Sequence, residues 1–122
     1  MKSFSQGEYL LPGDCVLNVW EGYYSIDGTY TERSYNPVLI RYELRKLDST
    51  ADTTGTLVGD ETRNPINTDV GRYYSNMAAP DEVGEYNIVW HYQRDMSSNP
   101  VDKTESINVT TRGIDSTYSY PV

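Results

Sequence analysis

The sequence predicts an all-β chain, an antiparallel β-sandwich of about seven short strands with short extended termini. Three observations predict it. Gly71-Arg72-Tyr73 and Gly84-Glu85-Tyr86 each open a strand through a Gly-x-Tyr step. Tyr86, Ile88, Trp90 and Tyr92 then recur at every second position, which is the period of a half-buried strand. No segment repeats apolar residues at the 3.6-residue helical spacing over a helical length.

The elements follow in order. Leu10-Leu11-Pro12-Gly13-Asp14 is a turn that launches a first strand from Cys15 to Trp20, apolar on both faces, so periodicity does not choose its inward side. Ser25-Ile26-Asp27-Gly28-Thr29 is a loop around an Asp-Gly turn. After Pro37, the run Val38, Ile40, Tyr42, Leu44 alternates with Leu39, Arg41, Glu43, Arg45, giving a strand with one apolar face and one largely charged face. Asp48 to Thr56 is rich in Ser, Thr, Asp and Gly and reads as an exposed loop. Leu57-Val58 reads as a short edge strand, and Gly59 to Asp69 as irregular. Gly71 to Met77 is the next strand, Ala78 to Gly84 a connection, and Arg94 to Asp102 a polar hairpin loop. Lys103 to Thr110 closes the domain with Ile107 and Val109 facing in. The expected core is Val38, Ile40, Tyr42, Tyr86, Ile88, Trp90, Ile107 and Val109.

A chain of 122 residues fits one domain. Residues 1–9 form an N-terminal arm, 10–110 the sandwich and 111–122 a C-terminal tail. Its net charge of −8 and ten scattered basic residues argue against nucleic acid, which demands clustered Lys and Arg. No run reaches the ~18 apolar residues of a membrane span, and the first residues lack the apolar core of a signal peptide. Production in the cytoplasm is expected. The single Cys15 has no internal disulfide partner and reads as a small apolar residue of a buried strand face.

Twelve tyrosines against one phenylalanine and two tryptophans are the compositional anomaly. Tyrosine joins a large apolar body to a polar tip, which suits interfaces. Tyr23, Tyr24, Tyr30 and Tyr35 fall in expected loops, and Ile114, Tyr118 and Tyr120 in the tail. These residues are the interface candidates. Ser116 to Tyr120 has the composition of a strand that adds to a neighbour's sheet edge.

Within Glu82-Val83-Gly84-Glu85-Tyr86-Asn87-Ile88, the chain resembles the tyrosine corner of immunoglobulin-like sandwiches. The resemblance implies that Tyr86 hydrogen-bonds back across the corner. Glu82 stands where an aspartate is more usual, and Ile88 stands where antibody domains carry a cysteine, so their disulfide is absent. The order Pro12-Gly13-Asp14, Asp27-Gly28, Gly71-x-Tyr73 and Gly84-x-Tyr86-x-Ile88-x-Trp90 also resembles small immunoglobulin-like proteins of tailed-phage particles. That resemblance covers residues 10–110 and implies a virion component: capsid decoration, head–tail connector or tail ornament. Its partner would be the major capsid or connector protein, with homo-oligomers a further expectation.

Chemistry finds little purchase in the sequence. His91 is the only histidine, expected on an outward strand face, with no second His or Cys to share a metal. No Gly-x-Ser-x-Gly element accompanies it. Asp48, Asp52, Asp60 and Glu61 flank one loop, and Asp27 and Glu32 another, but neither has the spacing of a helix–loop–helix calcium site. No enzyme activity, metal or cofactor is expected. The function expected is structural, through protein contacts, with recognition of a host glycan or protein by the loops as the alternative.

Overall fold

The structure, a computed structural model, describes residues 1–49, 51–60 and 62–112. Among them there is no helix, and the chain is all-β. Ten strands run in order: β1 (Lys2–Ser5), β2 (Val16–Asn18), β3 (Trp20–Tyr24), β4 (Tyr30–Ser34), β5 (Leu39–Lys46), β6 (Thr56–Leu57), β7 (Ile66–Asp69), β8 (Arg72–Tyr74), β9 (Gly84–Gln93) and β10 (Val101–Thr110).

Two sheets share one core. The larger has the order β1-β10-β9-β5-β6 and the smaller β2-β8-β7. All neighbours are antiparallel except β1 and β10, which run parallel. The period-two pattern sends Tyr86, Ile88, Trp90 and Tyr92 of β9 inward, beside Tyr42 and Leu44 of β5 and Ile107 and Val109 of β10. From the other layer come Cys15, Leu17, Val19 and Tyr73. The Tyr42 and Trp90 rings meet at 5.3 Å between centroids, tilted by 44°. Complete burial of one such side chain as Ile88 stabilises by about 1.5–3 kcal/mol.

At the connection before β9, the Tyr86 hydroxyl donates to the Glu82 carbonyl at 2.6 Å. The acceptor is backbone. The Glu82 carboxylate faces elsewhere, pairing with Lys46 at 3.2 Å.

Several expectations are corrected. There are ten strands among the described residues rather than about seven, because the arm contains β1 and the segments read as loops or irregular chain contain β3, β4 and β7. The N-terminal arm does not lie wholly outside the sandwich: Lys2–Ser5 pairs with Ile107–Thr110 and Phe4 is buried in the core. Val38 is not core. It is 50% exposed, because it precedes the first paired residue of β5 at the end of the sheet, and Ile40 is only partly buried. Thr111 and Arg112 follow β10, with the Arg112 guanidinium donating to the Gln6 carbonyl. Ile114, Tyr118 and Tyr120 lie outside the described residues.

Candidate functional site

The interface candidates Tyr23, Tyr24 and Tyr30 stand on one element, the β3–β4 hairpin. Expected in loops, they are strand residues. The Asp-Gly turn explains how: the Asp27 carboxylate accepts from the Thr29 amide at 3.0 Å and from the Ser25 hydroxyl at 2.7 Å, and Gly28 takes a φ of 88°. Those bonds hold the Asp27 carboxyl down to about 2, the Ser25 hydroxyl contributing most. The Ser25 amide then donates to the Thr29 carbonyl, and the pairs Tyr24–Tyr30 through Trp20–Ser34 follow.

Every residue of β4 is exposed, and in β3 only Glu21 is partly covered. The hairpin joins neither sheet and so projects beyond the sandwich. Its two faces differ. Trp20, Gly22 and Tyr24 share one face with Tyr30, Glu32 and Ser34. On it the Tyr24 and Tyr30 rings meet at 5.0 Å, and the Tyr30 ring lies over Gly22, where a Cβ would overlap its hydroxyl. Burial by neighbours and the adjacent Glu32 carboxylate push the Tyr30 phenol up. Trp20 is 52% exposed, Tyr24 74%, and Ile26 at the tip is fully exposed. A large apolar surface held on a marginal two-stranded element is the mark of a contact site.

The opposite face is an ionic base. Glu21 accepts from Arg33 at 2.8 Å and from Arg94 at 2.6 Å, and Arg94 also reaches Asp95 at 2.9 Å. The Arg94 and Arg33 guanidiniums hold the Glu21 carboxyl below its ordinary value. Arg33 lies over the Tyr23 ring and Arg94 over Tyr35. Tyr35 differs from the other three candidates in its setting. It is half-buried at the foot of the hairpin, packed on the core, and burial raises its phenol.

The outer face of the large sheet contains the other polar cluster. His91 stands on the outward strand face, as expected, and there its Nδ1 lies 2.6 Å from Asp102 and its Nε2 2.5 Å from Glu43. Glu43, read as part of a charged outward face, is only 8% exposed beneath His91 and Arg45. Both ring nitrogens face carboxylates, so neither is turned toward a substrate as a general base. A trough of about 360 Å³ runs beside it, bounded by Leu39, Arg41, Asn64, Gln93 and Pro100. Gln93 is turned onto the Ser98 carbonyl there.

Among the described residues no group of three His, Cys, Asp or Glu side chains is placed to hold a metal ion. The loop carboxylates hold their own loops instead. Asp52 accepts from the amides of Asp48, Thr54 and Gly55, and Asp60 from Thr62. Glu61 lies outside the described residues. No helix among them is long and apolar enough to cross a membrane. Burial pushes the Cys15 thiol up to about 12, which removes its nucleophilic form near neutrality.

Trp20, Gly22 and Ile26 belong to the same exposed hairpin and were not singled out in the sequence. Alternation of Trp20, Gly22 and Tyr24 before Asp27-Gly28 was the signal available, since strands flanking such a turn spell a hairpin. No protein-family model matches the chain, and neither a curated protein nor a solved structure matches it.

Proposed function

We propose that this protein is a non-enzymatic structural component of a phage particle, an immunoglobulin-like sandwich that attaches to the capsid or neck by protein contacts. The projecting β3–β4 hairpin carries the proposal, with Trp20, Tyr23, Tyr24, Ile26 and Tyr30 exposed on it. Burying such aromatics in a partner is the usual source of interface energy. The sheet orders β1-β10-β9-β5-β6 and β2-β8-β7, and the Tyr86–Glu82 bond, support the immunoglobulin-like assignment. The sequence motifs between Pro12 and Trp90 support the particle. In that setting the partner is the major capsid or connector protein, and the protein resides in the virion.

The experiment is quantitative mass spectrometry of purified particles, followed by particles made with Trp20→Ala/Tyr24→Ala. A fixed ratio to the shell protein, lost in the variant, is the expected result. Absence of the wild-type protein from particles would overturn the proposal.

The aromatic face also favours a second function, recognition of a host glycan, because Trp20, Tyr24 and Tyr30 offer flat rings for sugars to stack on. Binding of the isolated protein to a glycan array, lost in Tyr24→Ala, would select it.

A further inference from the structure

We infer that the β3 edge pairs with β3 of a second copy of this chain, giving a two-fold dimer through a four-stranded sheet. The inference is independent of the particle assignment. In an antiparallel ladder, residues turn their backbone groups alternately toward and away from the neighbour. The Ser25 amide bonds to Thr29 across the turn, and the Tyr35 amide bonds to the Val19 carbonyl at the base. Odd-numbered residues of β3 therefore face β4. The N–H and C=O groups of Trp20, Gly22 and Tyr24 face outward. Val19 also donates to Gly71, so β8 lies on the β4 side, and the outer edge of β2 and β3 is unpaired among the described residues.

An open edge of this kind is a template for another strand. The register follows from symmetry. A two-fold axis perpendicular to the sheet keeps each face on its own side, so it sets Gly22 opposite Gly22 of the second copy and Trp20 opposite its Tyr24. Those are the residues whose backbone groups point outward, so all of them become bonded. Glu21 meets Tyr23 of the second copy, and no like charges oppose one another. The aromatic faces of both hairpins become continuous, and aromatic pairs across strands are among the favourable ones.

The β4 edge is a poorer template. Its outward residues are Tyr30, Glu32 and Ser34, and the corresponding axis sets Glu32 against Glu32. Like charges directly opposite destabilise a sheet. On β10, the stretch Val101–Ser106 beyond β1 is also open, but the exposed Lys103 guards it, as charges on edges do.

The test uses the full chain in sedimentation equilibrium over a wide concentration range. Wild type is expected to rise from the mass of one chain toward two. Trp20→Lys/Tyr24→Lys places like charges opposite at both pairs and is expected to stay at one. Trp20→Lys/Tyr24→Glu removes the same rings but opposes Lys to Glu at both pairs, and is expected to regain dimers over the like-charged variant. Hydrogen exchange of the wild-type dimer adds a readout that needs no substitution, since protection is expected at the amides of Trp20, Gly22 and Tyr24. A wild type that stays monomeric overturns the inference. So do two double variants of equal behaviour, or a dimer whose three amides exchange as fast as in the monomer.

Discussion

The Tyr86 hydroxyl bonds to the backbone carbonyl of Glu82 at 2.6 Å while its ring is buried in the core, tying the start of β9 to the connection before it. The side chain at position 82 takes no part, so the two residues have unequal consequences. Tyr86→Phe keeps the ring and loses the bond, which costs about 0.5–1.5 kcal/mol. Glu82→Ala loses only an exposed pair with Lys46, worth about 0–1 kcal/mol. Urea unfolding of both variants tests this, and a larger loss in Glu82→Ala would contradict the backbone acceptor.

His91 joins three strands, since Glu43 is on β5 and Asp102 on β10. Its two bonds are not equivalent. The Glu43 carboxylate is nearly buried, whereas the Asp102 side chain is 61% exposed. Removing the ring with His91→Ala strips a partner from a buried charge and is expected to cost about 1–3 kcal/mol. Asp102→Ala is expected to cost about 0–1 kcal/mol. Equal losses in denaturant unfolding would mean that Glu43 draws no support from the ring.

Phe4 places the N-terminal strand in the core. Phe4→Ala is expected to destabilise by about 3–5 kcal/mol, as truncation of a buried aromatic does. Ser3→Ala, at an exposed position of the same strand, is expected to change stability by no more than about 0.5 kcal/mol. Thermal unfolding separates the two, and a neutral Phe4→Ala would place β1 outside the cooperative unit.

Acid and base act on different carboxylates with opposite sign. The Ser97 and Ser98 hydroxyls hold the Asp95 carboxyl down to about 2, below its ordinary 3.8. Its contribution is complete above the ordinary value and is lost as pH falls toward about 2. Burial pushes the Glu105 carboxyl up, with Lys2, Cys15 and Trp90 opposing. Its folded form holds the proton more tightly than the unfolded chain, so stability declines as pH rises above the ordinary 4.5. Asp95→Asn is expected to be less stable than wild type at neutral pH and equal to it near the acid limit. Glu105→Gln is expected to gain on wild type as pH rises. Unfolding curves across that range check both, and differences independent of pH would reject both assignments.

The core was legible where one face of a strand is buried. Tyr86, Ile88 and Trp90, and Ile107 and Val109, alternate because the sheet forces every second side chain inward. The hairpin lacked that signal. Neither of its faces contributes a side chain to the buried core, so Tyr23, Tyr24 and Tyr30 read as loop residues although the Asp-Gly turn between them was visible. β1 was missed because a strand of Lys2–Ser5 contributes one core residue, and one residue has no period. The partners of His91 were not legible because these carboxylates are distant in sequence and meet it only through the register of β5, β9 and β10.

Gly22 is the residue on which the aromatic face depends, and it offers the most direct test of the hairpin. The Tyr30 ring occupies the space a side chain at position 22 would fill. Glycine ordinarily weakens a strand, so its presence here reflects that close approach. Gly22→Ala is expected to drive the Tyr30 ring away and open its contact with Tyr24. In Tyr30→Ala the space is vacant, and adding Gly22→Ala is expected to be harmless or slightly stabilising. The two substitutions should therefore couple by about 0.5–1.5 kcal/mol in a double-mutant cycle. Nuclear Overhauser contacts between Tyr30 and Gly22, present in wild type and absent in Gly22→Ala, give the structural readout. Additive effects would place the Tyr30 ring off the hairpin face, and the continuous aromatic surface would go with it.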